Sequence, residues 1–209
     1  METGFPVLGS WLVSGETSLP VTKIDYRLPT DLVPDHYDLW VKFQFEETFN
    51  NNSFPYDGEV KIDISCVKDT SKLVLHVRNL MIDNSSLSLT STDDLSFGEL
   101  KAFAWYNDFT RHFFVADLPK SFKAGSSYQF SVKFVGYLTD DNRGFYRSSY
   151  MRNNERVWLA TSQLESTDAR KSFPSFDEPA MKAKFKVRIV HRADYFALSN
   201  MPVESKRNL

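Results

Sequence analysis

A two-residue rhythm of apolar and polar side chains constrains this chain more than any other feature. Tyr37, Leu39, Val41, Phe43 and Phe45 alternate with Asp38, Trp40, Lys42 and Gln44, and Val60, Ile62, Ile64 and Cys66 alternate with Glu59, Lys61, Asp63 and Ser65. Only an extended backbone throws successive side chains to opposite sides, so each run predicts a strand with one face buried and one wet. Asn50, Asn51, Asn52, Ser53 and Pro55 supply a polar turn between them, which makes the pair an antiparallel hairpin with a long loop. Shorter strands are expected at Leu73–Val77 and Leu87–Leu89, with Asn84-Ser85-Ser86 as the turn between them. The span from Asp93 to Ala104 reads as loop, followed by a strand ending at Tyr106. Arg111–Ala116, Tyr128–Val135, Phe145–Tyr150, Phe185–Ile189 and Tyr195–Leu198 complete the alternating set, and Val157–Thr161 reads as a run buried on both faces. Roughly ten short strands at turn-bounded spacing predict an all-β chain, a curved antiparallel sheet or sandwich system.

Composition agrees with that fold. Aromatic residues make up 15% of 209 positions, and such residues suit half-buried pleated surfaces. A net charge of -2 offers no field for nucleic acid. The single cysteine, Cys66, has no internal disulfide partner and reads as a small buried strand residue. Residues 1–25 read as a poorly ordered leader, without the basic start of a signal peptide, and the domain is expected over 26–209. No apolar run reaches about 18 residues, so no membrane span is expected, and a soluble chain fits a cytoplasmic or an extracellular setting equally. The triplets Asn51-Asn52-Ser53 and Asn84-Ser85-Ser86 are glycosylation sequons compatible with secretion.

One stretch interrupts the strands: Gln163-Leu164-Glu165-Ser166-Thr167-Asp168-Ala169-Arg170-Lys171-Ser172-Phe173-Pro174-Ser175-Phe176-Asp177-Glu178-Pro179, followed by Lys182, Ala183 and Phe185. Here Ser166 or Thr167 is a candidate N-cap, Pro174 a stop, and one short helical turn is expected near 166–173. The stretch resembles the block Gln-x-Glu-x-Thr-Asp-Ala-Arg-x-x-Phe-Pro-x-Phe-Asp-Glu-Pro of the zinc metalloaminopeptidases of the aminopeptidase N and leukotriene hydrolase type. Tyr26-Arg27-Leu28-Pro29, Pro34-Asp35-His36-Tyr37-Asp38-Leu39 and Gly144-Phe145-Tyr146-Arg147-Ser148 are similar to that family's entry and mid-domain segments, so the resemblance runs from Tyr26 to about Pro202. The chain departs from it at Ser166, commonly Pro, and at Ser175, commonly Cys. The resemblance implies an amino-terminal β-domain, not the domain that holds zinc. It also implies that Glu165 helps to bind the free α-ammonium of a peptide and that Gln163 lines the pocket for the first side chain.

The catalytic chemistry of such enzymes has no counterpart here. A zinc peptidase needs His-Glu-x-x-His on a helix, which sets two imidazoles on one face with a general base between them. This chain has only His36, His76, His112 and His191, no two closer than thirty residues, so no metal and no catalytic residue are expected. The one zinc ion implied by the resemblance belongs to a further domain. Asp168, Arg170, Asp177, Glu178 and Lys182 read as a local ion-pair network that fixes the loop. The resembling domain continues with more strands past Ser199-Asn200-Met201-Pro202, so a shortened sheet with an open edge is expected. The leading expectation is therefore a non-catalytic aminopeptidase domain that meets a peptide amino terminus. A β-sheet interaction module, binding a protein partner or a second copy through that edge, is the alternative. Carbohydrate stacking on Trp11, Trp40, Trp105 and Trp158 is weaker, because packing explains scattered tryptophans more simply.

Overall fold

The computed structural model describes residues 24–45, 54–101 and 103–207. Most of the expected leader and the turn at Asn50–Ser53 lie outside the described residues. The rest is all-β, as expected. The strands are β1 (Leu32–Phe43), β2 (Phe54–Cys66), β3 (Thr70–His76), β4 (Met81–Ser91), β5 (Glu99–Lys101), β6 (Ala104–Asp108), β7 (Phe113–Phe122), β8 (Ser127–Leu138), β9 (Gly144–Arg152), β10 (Glu155–Gln163) and β11 (Lys184–Val190). They form a six-stranded sheet in the order β11-β1-β2-β8-β4-β5, a three-stranded sheet β3-β7-β6 and a two-stranded ribbon of β9 and β10.

The alternation in the sequence becomes the core. All along β2, inward residues alternate with half-exposed ones from Phe54 to Cys66, and β8 answers with Tyr128, Phe130, Val132 and Phe134. The three-stranded sheet closes over this face, with Phe114 of β7 lying 6.2 Å from Phe130 of β8, centroid to centroid. Burying one such ring contributes about 1.5–3 kcal/mol. Two glycines make room for rings. Gly58 stands opposite Phe134 and Gly136 opposite Tyr56, and a Cβ on either would fall 2.2 Å from the facing ring.

Several details differ from the alternation pattern, each for a reason outside local sequence. Asn84, Ser85 and Ser86 do not turn the chain between two strands. They lie within β4 as a break in its register with β8, between the pairs Asp83–Lys133 and Ser88–Ser131. The span from 93 to 104 contains a 3-10 turn at Leu95–Phe97 and the short β5. β10 is half-exposed instead of buried on both faces, because β9 is its one ladder partner among the described residues. β11 joins β1 in parallel, the exception to otherwise antiparallel ladders between the described strands. The loop after β10 crosses the domain and delivers β11 in β1's own direction. Tyr195–Leu198 forms no strand and has no ladder partner among the described residues, and Phe196 is 91% exposed.

Candidate functional site

Gln163 is the last residue of β10, paired across the ribbon with Gly144. The ribbon is closed at its far end by Asn153 and Asn154, both at positive φ, the two-residue turn that suits a twisted hairpin. Past Gln163 the Leu164 carbonyl accepts from the Asp168 amide at 3.0 Å. That bond closes a turn whose tip is Glu165, Ser166 and Thr167, all exposed, as is Gln163. The Glu165 carboxylate has no hydrogen-bond or ion-pair partner among the described residues. The structure thus brings the two expected site residues onto one exposed ribbon end.

The other side of the turn is fastened into the interior. The expected helical turn is present as a single 3-10 turn, Ala169–Lys171. Its N-cap position is held by Asp168, not by Ser166 or Thr167, and no side chain caps it. Arg170 is buried, its Nε donating to Asp177 Oδ2 at 2.7 Å and its Nη2 to the Asp177 carbonyl at 3.1 Å. Lys171 Nζ reaches Asp141 Oδ2 at 2.6 Å and Asp168 Oδ1 at 4.0 Å. The Lys171 hydrogen bond, then that of Thr139, holds the Asp141 carboxyl down to about 2. Glu178 accepts from the Arg27 guanidinium, and from the Leu28 amide at 3.1 Å. Lys182, expected in the same network, is exposed and makes no ion pair among the described residues.

Backbone groups of the loop find equally specific partners. The Tyr56 hydroxyl lies 3.1 and 3.0 Å from the carbonyls of Lys171 and Ser172, and Tyr37 Oη accepts from the Phe176 amide at 3.0 Å. Ser175 and His76 exchange two backbone bonds, at 2.8 and 3.2 Å. Phe173 and Phe176 fill the space beneath. Arg170 and Asp177 therefore neutralise and orient one another, and Lys171 stands between Asp141 and Asp168, a structural arrangement instead of an acid–base pair aimed at a substrate. The contribution of Lys171 and Asp141 was not written in local sequence. They clamp the turn beside Gly144, whose added Cβ would lie 2.8 Å from that of Lys171, and Gly144 is the partner of Gln163. Lys171 and Asp141 are thirty positions apart.

The four histidines do not make a zinc site. His36 lies 3.4 Å from Asp63, and His191 Nδ1 lies 2.7 Å from the Arg192 carbonyl. The His76 ring is fully buried against Phe113, and neither nitrogen meets hydrogen-bond geometry, although the backbone of Tyr26 comes near. His76 is thus an interior residue. Burial first, and then the Arg170 charge, push it down to about 3. His112 is lowered by burial and by Arg78. Among the described residues no three His, Cys, Asp or Glu side chains come together as a metal site. Two of the tryptophans pack on the core: Trp105 stacks on Phe114 at 4.9 Å, and Trp158 lies 5.0 Å from Phe54. No helix among the described residues is long and apolar enough to cross a membrane.

Comparison with known proteins places this geometry in a family. The profile of the Peptidase M1 N-terminal domain matches residues 33–209. The chain is 37% identical over 204 residues to aminopeptidase N of Bos taurus, covering 90% of this chain and 20% of that protein. It is 35% identical over 194 residues to aminopeptidase N of Oryctolagus cuniculus, covering 88% and 20%. With the thyrotropin-releasing hormone-degrading ectoenzyme of Homo sapiens it shares 34% over 179 residues, covering 86% and 16%. The chain therefore spans at most 20% of the length of these curated relatives. The β-sandwich, the riveted loop and these matches together establish that the chain belongs to the Peptidase M1 N-terminal domain family, in its aminopeptidase N-like form.

Proposed function

We propose that this domain forms one wall of a peptide cleft and receives the charged amino terminus of the peptide on Glu165, with Gln163 beside the first side chain. Cleavage takes place on a zinc-bearing domain outside these 209 residues. The observation that carries the reading is the Glu165 carboxylate, exposed and without a partner among the described residues at the tip of a turn anchored on both sides. A peptide α-amine with a pKa of about 8 is mostly charged at neutral pH. Against a partly desolvated carboxylate it gains about 1.5–3 kcal/mol. On an open surface the same pair is worth little, so the preference needs a second wall to exclude water. One relative is by its name an ectoenzyme, and we assign the same extracellular setting to this chain.

A chimera tests this. The matching portion of bovine aminopeptidase N is replaced by this chain, and KM is measured for peptides with free and with acetylated amino ends. Glu165→Gln is expected to raise KM for the free-amine peptide by roughly 10- to 150-fold, the equivalent of the energy above, with little change in kcat. An unaltered KM and an unaltered preference would remove Glu165 from the reading. The 209-residue chain alone, given zinc, is expected to release no amino acid from aminoacyl amides, and release would overturn the division of labour.

A second reading, a sheet that docks a protein partner, is favoured by β11. This edge strand has a ladder neighbour on one side and leaves Phe185 and Val187 at 53% and 41% exposure. Capture of a full-length relative by the purified chain, lost on Val187→Lys, is the expected result under that reading.

A further inference from the structure

The outer face of the six-stranded sheet carries a polar trough of about 290 Å³ that the peptide-facing turn does not use. We infer that Asn84 is an acceptor for an N-linked glycan and that the first sugars of that glycan lie in this trough. The extracellular setting is taken from the proposed function.

The argument begins at the register break in β4. Between the pairs Asp83–Lys133 and Ser88–Ser131, residues 84–87 stand opposite Val132 alone. Each neighbour of Asn84 has a structural duty there. Asp83 Oδ1 accepts from the Ser85 amide at 2.9 Å and from its hydroxyl at 2.6 Å. The Ser86 hydroxyl donates to the Asp83 carbonyl at 2.7 Å and accepts from the Lys133 amide at 2.8 Å. Leu87 is buried and pins the far end of the bulge. Asn84 is exposed, like Asp83 and Ser85, but unlike them its side chain has no partner among the described residues. It is also the acceptor position of the sequon Asn84-Ser85-Ser86, which requires the hydroxyl two residues on.

The trough begins where the sequon ends, because Ser85 and Ser86 line it. It exists because short side chains sit between long ones. One row across four adjacent strands reads Lys61, Ser131, Ser88, Lys101, and Lys133 stands beside it. The two serines leave a depression between lysine arms. Lys61 is 3.7 Å from Glu59, and Lys101 is 3.0 Å from Glu99, so the surface is nearly balanced in charge. Hydroxyls, ammonium donors and carboxylate acceptors at near-neutral charge suit the alternating donors and acceptors of a neutral sugar better than they suit a phosphate.

The transfer itself is a substitution from a lipid-diphosphate-linked oligosaccharide. The Asn84 Nδ2–C1 bond forms, the C1–O bond to the diphosphate breaks, the diphosphate leaves with its electron pair, and the amide loses one proton. In the folded domain the Ser86 hydroxyl is engaged with Asp83 and Lys133, so transfer takes place on the extended chain before β4 docks on β8.

The test secretes the full 209-residue chain from eukaryotic cells behind a cleavable signal. Peptide N-glycosidase is expected to release a glycan and leave Asp at position 84, read by peptide mass spectrometry. Asn84→Gln and Ser86→Ala are expected to abolish that product, and Ser86→Thr, which keeps the hydroxyl, to retain it. In the glycosylated chain, acylation of Lys61, Lys101 and Lys133 should be several-fold lower than after glycan release, with Lys182 unchanged as the exposed control. A secreted chain with Asn84 unmodified overturns the acceptor. Equal labelling of the three lysines with and without the glycan overturns its seat in the trough. Because the signal imposes the compartment, either failure bears on Asn84 and leaves the chimera test of the peptide cleft standing.

Discussion

Residues 168–178 and 191–207 both lack a strand of their own, and both carry large apolar side chains. In the first segment Phe173 and Phe176 are each 4% exposed; in the second Phe196 and Leu198 are 91% and 88% exposed. The difference lies in the backbone. Amides and carbonyls of the first segment are met by Tyr37, Tyr56 and both backbone groups of His76. The second segment stacks Tyr195 on Phe45 at 4.8 Å, but its backbone is met locally, the Tyr195 amide on the Arg192 carbonyl, beside the pair of Arg192 with Asp194. An irregular segment can be buried only where its peptide groups find partners. A phenylalanine in such a segment follows its backbone, and one flank of the Glu165 turn is of the first kind.

The sharpest contrast is between two identical substitutions. Phe173→Ala should cost about 3–5 kcal/mol, the range for emptying a buried ring site, while Phe196→Ala stays within about 0.5 kcal/mol. Urea denaturation midpoints of the two variants test this, and similar midpoints would break the comparison. Asp177→Ala comes next, at about 3 kcal/mol, because it leaves the buried Arg170 charge uncompensated. Pairing it with Arg170→Leu should recover a large part of that loss, which a double-mutant cycle measures.

A pH effect of smaller size reports on His76, which ties its backbone to Ser175. Its folded pKa of about 3 lies below the ordinary 6.5, so on acidification the unfolded chain takes the proton first. Stability from this group is complete above pH 6.5 and falls as pH drops toward 3, by at most about 1.4 kcal/mol per pH unit. His112 is shifted in the same direction. His76→Phe should therefore flatten, without abolishing, the slope between about pH 6.5 and 4.5, above the range where carboxylates titrate. A slope unchanged by the substitution would show that the buried ring is not its source. The smallest effect is expected at Glu165. Glu165→Gln should leave the denaturation midpoint where it is, since the carboxylate holds nothing in place, and a lowered midpoint would mean that it does.

Strand positions and inward faces were legible along the chain because alternation is a property of each residue's own backbone. Tyr37, Leu39 and Val41, or Val60, Ile62 and Ile64, face inward wherever the strand is placed. The block from Gln163 to Phe185 was legible as a family signature, and its single short helical turn was expected where Ala169–Lys171 forms one. Less legible were features that depend on a distant partner. Asp168 takes the cap position ahead of Ser166 and Thr167, and Asn84–Ser86 stay inside β4 because Lys133 and the buried Leu87 hold them there.

By itself, then, the sequence determined a β-chain, the side each strand buries, and the identity of the acid at the ribbon's end. Tertiary structure alone decided that β11 runs parallel to β1, that His76 is interior, and that, among the described residues, 195–198 has no ladder and Glu165 no partner. The first group rests on sterics and polarity within a few residues. The second rests on pairings such as Arg27 with Glu178, 151 positions apart, which no local pattern encodes.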